Sequence, residues 1–598
     1  MKYIFLAIAI VLTIAAFMTA RMAPDLASEV PVIYWVTDTN PARQEQVRLF
    51  HQWMVDQGHY VEHVLQNEQE ADAFFHRNRS TSIRRIIREV NPDAAALCDW
   101  ADDRSVQVTF PQVVRLPQVE LKLDMANADG TKKIIQGVSR VGGDIMDQYS
   151  GHDLRYFRAV GLNTDVTEAA HRLKFDLSTT YPAIEPELAL RDANGELRQY
   201  QYPCNVNASM FFVNRATFRQ HGQPLPPERM TIEEFERRGY EFVHAANAGR
   251  AKQTVFFLNN LEFEVLRRSY GGSRFNETGT AAILDEATVQ AMRTQHKWMY
   301  EGRYRLMPNQ ADRSSFATES GYGGADAQLF SHDDPERGQY GLFWTGRYLL
   351  ITFRQMNEAR AARGLPPLDL GVIAPPYEKF LNTSIATRAA MVYSQSPHRD
   401  LATYFLAFLA SKEYNEQIVK DGDALPPNPI YTETEAYRHP PEYPMEWDVH
   451  EPFARAAVDI SIGGSYSHFI LPSVAERIES TWRDRYHAGM ETLEGAVARA
   501  QAEINEEIQR ALAEDDRRDE PILRPLYNQL VERQRQIDAL KERIQEHLAA
   551  GRPIPEEDKI PEAWIQNAFH IAYYRHLGWL KEVARSPSTQ PITAVTAN

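Results

Sequence analysis

Short apolar runs alternate with amphipathic stretches along most of the chain, which predicts a mixed α/β protein. Val32 to Val36 is β-branched and aromatic and reads as a strand, broken by Thr37-Asp38-Thr39-Asn40-Pro41. Val47, Phe50 and Met54 then recur at helical spacing, predicting a helix over 42–55. Further strands are expected over 119–125, 210–213, 254–258, 370–376 and 389–394, and helices over 131–138, 152–160, 261–269 and 400–409. Thr231-Ile232-Glu233-Glu234 is a capping box that starts a helix, with Met230 and Phe235 placed to form its hydrophobic staple. Pro203 lacks a donor, so the chain is expected to leave one sheet there before entering another at Met210. Near the end, Leu526, Leu530, Ile537, Leu540, Ile544 and Leu548 predict one long amphipathic helix to about 550, stopped by Gly551 and Pro553. An aromatic-rich helix over 561–583 is expected to fold back on it, and the tail from Ser586 to be disordered.

A length of 598 residues exceeds one core and calls for at least two domains. The net charge of -16 disfavours nucleic acid and anionic membrane surfaces as partners. Lys2, the uncharged run Tyr3 to Ala20 and Arg21 mark residues 1–29 as an export signal or a membrane anchor. Cleaved signal and retained anchor both fit, since no clean small-x-small site follows the run. Only Cys98 and Cys204 exist, which allows one disulfide or two buried thiols.

Catalytic and nucleotide motifs are missing: there is no Gly-x-Ser-x-Gly, His-Glu-x-x-His, P-loop or Cys-x-x-Cys. His59 and His63 have the spacing of one helical turn but no third metal ligand nearby, so a solvated helix face is expected. Two carboxylates brought together only in space remain an alternative route to glycoside chemistry.

Several ordered pieces carry a resemblance. They are Tyr202-Pro203, Phe212-Val213-Asn214, the prolines at 224, 226 and 227 before the Thr231 helix, Gly142-Gly143-Asp144-Ile145, Phe343 to Arg347 and Gly422 to Pro427. Over roughly residues 30–515, these pieces together resemble the maltose-binding-protein-like, sugar-type solute-binding proteins (family 1) of ABC importers. Gly143 stands where that pattern has proline, and Tyr348 where it often has tryptophan. Residues 58–117 also interrupt the pattern as an insert, expected to be polar and helical around 68–75 and 81–90.

The resemblance implies a two-lobed α/β fold of the periplasmic-binding-protein type II kind, with mixed sheets, plus a C-terminal helical extension. The expected division is residues 30–203 with 376–428 as lobe 1, 204–375 with 429–515 as lobe 2, 516–585 as the extension and 586–598 as the tail. It further implies capture of a carbohydrate or related polar solute in an interlobe cleft by hinge closure. Delivery would be to ABC permease subunits, from an exported, periplasmic, monomeric core without cofactor or catalysis. A membrane-tethered scaffold that has lost solute binding is the alternative.

Polyol recognition needs amides, carboxylates and arginines beside flat apolar faces. The candidate ligand contacts are Asp38 and Asn40 at a strand end, Tyr149 and Ser150 after the third lobe 1 strand, Asn205 and Asn207 past Pro203, and Trp344, Arg347 and Tyr348 around Gly346. Each has a plainer reading: turn and cap chemistry for Asp38, Asn40, Asn205 and Asn207, core packing for the rings, and a structural salt bridge for Arg347.

Overall fold

A computed structural model describes residues 30–581 apart from 79–80, 126–135, 138, 140–141, 150–153, 160, 192–195, 306–329, 332 and 334–337. The chain divides into two compact units, residues 1–147 with 391–414 and residues 148–390 with 415–598. The crossings fall at 147/148, 390/391 and 414/415, where sequence reasoning had placed them near Pro203, Pro375 and residue 428. Ser150, the signal segment, the tail from 586 and most of the helix expected at 131–138 lie outside the described residues.

In the first unit, β1 (Val32–Val36) is the middle of a parallel sheet, and it is preceded in the sheet order by a later strand. Chain order runs through β2 (Tyr60–Leu65), β3 (Gln112–Pro117), β4 (Glu120–Asp124) and β5 (Ile145–Tyr149), and β4 and β5 flank β1 on either side. The helix Ala42–Asp56 lays Phe50 against Phe405 and Phe408 of the helix Arg399–Leu409. His51 is wholly enclosed, and its Nε2 accepts the Leu121 N–H at 2.9 Å. Burial pushes that imidazole down to about 3, so it stays neutral and can act as the acceptor.

The insert is more than a pair of polar helices. Its helices Glu68–Arg77 and Thr81–Val90 match expectation, but β2 and β3 also pair as a six-residue antiparallel ribbon. Together with the helix Ala96–Asp102 they enclose a separate core of Leu65, Phe74, Ile83, Ile86, Leu97 and Trp100. His63 sits on a strand, so His59 and His63 share no helical turn, and each ring packs on an aromatic neighbour. Among the described residues no cluster of three metal-ligating side chains occurs.

The second unit adds a small ribbon, β6 (Ala189–Arg191) and β7 (Leu197–Gln199), and then β8 (Gln201–Asn214). It continues with β9 (Val255–Leu258), β10 (Gln339–Gly346), β11 (Leu370–Ile373), β12 (Thr383–Val392) and β13 (Ser461–Ile462). The path β12-β8-β10-β9 is mixed: β10 runs antiparallel to β8 and parallel to β9, and β11 pairs β8 as well. β8 is one strand straight through Pro203. Its ladders to β10 and β11 begin only at Ser209 and Phe211, so the missing proline donor costs those ladders nothing. Met210 and Phe212 enter one apolar cluster and Phe211 and Val213 another, so β8 is buried on both faces.

The helix Ile232–Ala246 starts as the sequence requires, with Thr231 Oγ1 accepting the Glu234 N–H at 3.2 Å and Met230 and Phe235 in one cluster. The Glu234 carboxylate turns to Arg238 Nε at 3.0 Å. Both cysteines are buried, and they form no disulfide with each other.

The extension begins with a 27-residue helix, Leu523–Ala549, closed by Gly551 in the left-handed region at φ +62°. The second helix is shorter than expected, Ala568–His576, because residues 561–567 are used for docking. Asn567 is buried there, and its Nδ2 donates to Ser273 Oγ, Phe275 O and Ser465 Oγ. The latch is Glu277, whose carboxylate accepts from Lys541 Nζ at 2.7 Å, Gln534 Nε2 at 2.7 Å and the Tyr574 hydroxyl.

Burial opposes the Glu277 charge, but the neighbouring His570 and Lys541 groups and the hydrogen bonds outweigh it and hold the carboxyl down to about 2. A depressed carboxylate contributes stability that is full above its unfolded value of about 4.3 and lost as pH falls through the folded one. The extension is therefore expected to loosen between about pH 4 and pH 2. Glu277→Ala is expected to weaken its docking at neutral pH by on the order of 2 kcal/mol. Limited proteolysis after residue 516 measures both effects, and equal cleavage of variant and parent would remove the latch role.

Candidate functional site

The strand ends of the second unit bring two of the expected residues, Asn207 and Trp344, onto one sheet face. β8 and β10 are registered Phe211 to Trp344 and Ser209 to Gly346, so Asn207, Ser209, Phe211, Trp344 and Gly346 lie on the same face by the alternation of strands. Phe211 and Trp344 stack edge to face at 5.1 Å and mark where the apolar cluster stops. Beyond them the face turns polar and half-exposed at Ser209 and Asn207.

Gly346 is required by this arrangement. A Cβ at 346 would stand 1.5 Å from Asn207 Oδ1, so the asparagine amide lies directly on the glycine backbone. That Oδ1 is shut off from solvent and has no hydrogen-bond donor. A half-exposed asparagine amide on the same sheet face as a half-exposed tryptophan ring suits a hydroxyl-rich ligand, which supplies polar groups and a flat C–H face.

Arg347 has a different job. It is 1 % exposed, and its guanidinium donates from Nε to His450 Nδ1 at 3.0 Å, from Nη1 to Ala424 O at 2.6 Å and from Nη2 to Val419 O at 3.3 Å. The Tyr437 ring lies beneath it at 4.6 Å. Burial, with Arg347 and Arg354 alongside, pushes His450 down to about 2, which leaves Nδ1 free to accept. Arg347 thus ties the end of β10 to the turn at Gly422 and Ala424, both in the left-handed region at φ +74° and +64°. The next residue, Leu425, exchanges backbone hydrogen bonds with Val206 at 3.0 and 2.7 Å, between Asn205 and Asn207. The buried arginine therefore positions the strand segment that presents Asn207.

Tyr348 accepts a hydrogen bond from Thr345 Oγ1 at 3.1 Å and leans on the cluster of the opposite sheet face. Asn205 is only 7 % exposed. Tyr149 ends β5 with 47 % of its surface exposed. In the first unit, Asp38 pairs with Arg43 at 2.9 and 3.0 Å and accepts the Asn40 N–H at 3.0 Å, while Asn40 Oδ1 accepts the Ala42 N–H at 3.0 Å. These two side chains act as cap and turn groups for the helix that follows β1.

Two residues escaped sequence reasoning. Ser209 was legible from the two-residue alternation Asn205, Asn207, Ser209. Asp147 was not, since nothing local shows that its carboxylate takes the Trp35 Nε1–H and the Thr37 hydroxyl, each at 2.6 Å.

The fold defined by these units is that of the solute-binding proteins of ABC transporters. An ABC substrate-binding protein from Listeria monocytogenes in complex with cycloalternan is similar at a TM-score of 0.56 and 16% identity, over 80% of this chain and 99% of that one. The sugar-binding protein MalE from Xanthomonas citri is similar at 0.53 and 10% identity, over 81% and 100%. A solute-binding protein from Thermotoga lettingae bound with alpha-D-tagatose is similar at 0.53 and 12% identity, over 80% and 100%. No protein-family model and no curated protein matches the chain.

Proposed function

We propose that this protein is a family 1, sugar-type substrate-binding component of an ABC importer, exported and presenting a carbohydrate or polyol to a membrane permease. The observation that carries the reading is Asn207 seated on Gly346, on the same sheet face as Trp344, at the strand ends of a fold shared with sugar-binding proteins. The two units closing on the solute by a hinge motion would complete the transport-competent form. Asn207, Ser209 and Trp344 are the proposed contacts in the second unit, with Tyr149 as a further ring, and Arg347 as the residue that positions them. Binding of this kind needs no metal, nucleotide or bond cleavage on this chain.

Ligand that binds only the folded state stabilises it by mass action, by about 2.7 kcal/mol at a hundredfold excess over Kd, and so raises the melting temperature. A panel of oligosaccharides, monosaccharides and sugar alcohols is expected to contain at least one compound that raises Tm by several degrees. Absence of any shift across the panel would favour the scaffold alternative. Hydrolysis of a glycoside, abolished by one carboxylate substitution, would favour an enzyme.

A further inference from the structure

The extension encloses space as well as packing on the core. Where it meets Pro186, Ala189 and Leu197, a cavity of ≈ 850 Å³ is lined by three arginines, Arg155, Arg158 and Arg533. Leu190, Leu526 and Ile571 supply apolar wall between them. A second cavity of ≈ 310 Å³ shares Arg155, His468 and Ile522 with the first and continues over Phe469 and Leu471.

The charges are unbalanced. Among the described residues no carboxylate pairs with Arg155 or Arg533, and Arg155 Nε and Nη1 are closed off from solvent with no acceptor. Arg155 instead lies over the Tyr466 ring at 5.1 Å. Glu187, within electrostatic reach, spends its oxygens on the Thr387 N–H and hydroxyl and the Tyr466 hydroxyl, and burial pushes it up to about 7. Against the three arginines the large cavity is lined by two carboxylates, Glu185 and Glu562, and Glu562 pairs with Arg575 at 2.7 Å. An enclosed guanidinium without a counter-charge is costly, and an incoming carboxylate or phosphate supplies both the charge and the acceptors.

We propose that the cavity between the C-terminal extension and the rest of the second unit binds an organic anion, a carboxylate or phosphate carried on an apolar chain. The anionic group meets Arg155 and Arg533, and the chain follows the apolar wall. This gives the extension a binding role separate from the strand-end site at Asn207.

Calorimetric titration of the purified protein with dodecanoate, dodecyl phosphate and dodecanol, each below its micelle concentration, tests this. At least one of the two anions is expected to bind, with dodecanol weaker by at least about tenfold. Which anion binds separates the carboxylate source from the phosphate source. Arg533→Gln, a half-exposed helix position that leaves folding intact, and Arg155→Gln are each expected to weaken anion binding at least about fivefold. Neither is expected to change the Tm shift given by a sugar ligand. Binding of neither anion, equal binding of dodecanol, or full affinity in both variants would overturn the proposal.

Discussion

Replacing Glu479 by alanine is expected to lower the stability of the second unit by about 3–5 kcal/mol, the usual result of stripping one partner from a buried ion network. Glu479, on the helix Pro472–His487, is 2 % exposed and accepts from Arg267 Nη1 at 2.5 Å, Arg267 Nη2 at 3.2 Å and Arg274 Nε at 2.8 Å. Arg267 and Arg274 belong to the helix Phe263–Ser269 and the turn after it, so one carboxylate pins two distant stretches of chain. Its removal leaves the two enclosed guanidiniums with only Glu264 and Glu476 as counter-charges. Burial alone would raise the Glu479 pKa, but Arg267, Arg274 and Arg483 hold it down to about 2. Its contribution is accordingly full above about pH 4.3 and lost as pH falls through about 2. Denaturant titration at pH 7 measures the loss. A midpoint unchanged from the parent would show that the network carries no net stability.

Gly346→Ala and Asn207→Ala are expected to reduce solute affinity by at least about tenfold, which is about 1.4 kcal/mol of binding free energy. They act on one contact from its two sides. The alanine Cβ occupies the place of Asn207 Oδ1 and drives the amide off its seat, whereas Asn207→Ala removes the amide and leaves the glycine bare. The obstructing atom is the far end of a side chain, so Gly346→Ala is expected to cost little stability. The double variant is then expected to bind no worse than the weaker single one, because both lose the same interaction. Calorimetry on the four proteins checks this. Additive losses would mean that Gly346 and Asn207 serve the ligand independently.

Features encoded over a few residues were the ones legible in the sequence. The Thr231 cap, the strand Val32–Val36 and the long extension helix each follow from a local pattern, and each stands within a few residues of its expected place. Features that depend on partners distant along the chain were not. β2 was missed because a two-stranded ribbon covers so little that Val61 and Val64 remain exposed, blurring the alternation that marks a strand. Pro203 suggested a break, yet its position before the β10 and β11 ladders lets β8 run through it. The second extension helix is short because Gln566 and Asn567 give their backbone N–H groups to Glu277 O, almost three hundred residues earlier. At the site, Asn207, Trp344 and Gly346 were singled out by type and position. The contact of Asn207 with Gly346 and the enclosure of Arg347 needed the register of β8 on β10.

The reading as a solute receptor is tested most directly by titrating the strongest Tm-shifting sugar or polyol into the protein calorimetrically and then recovering the compound. Saturable binding of one solute per chain, lost in Asn207→Ala, with the compound returned chemically intact, is the expected result. A failure of every compound to bind, binding indifferent to Asn207, or recovery of cleaved product would contradict it.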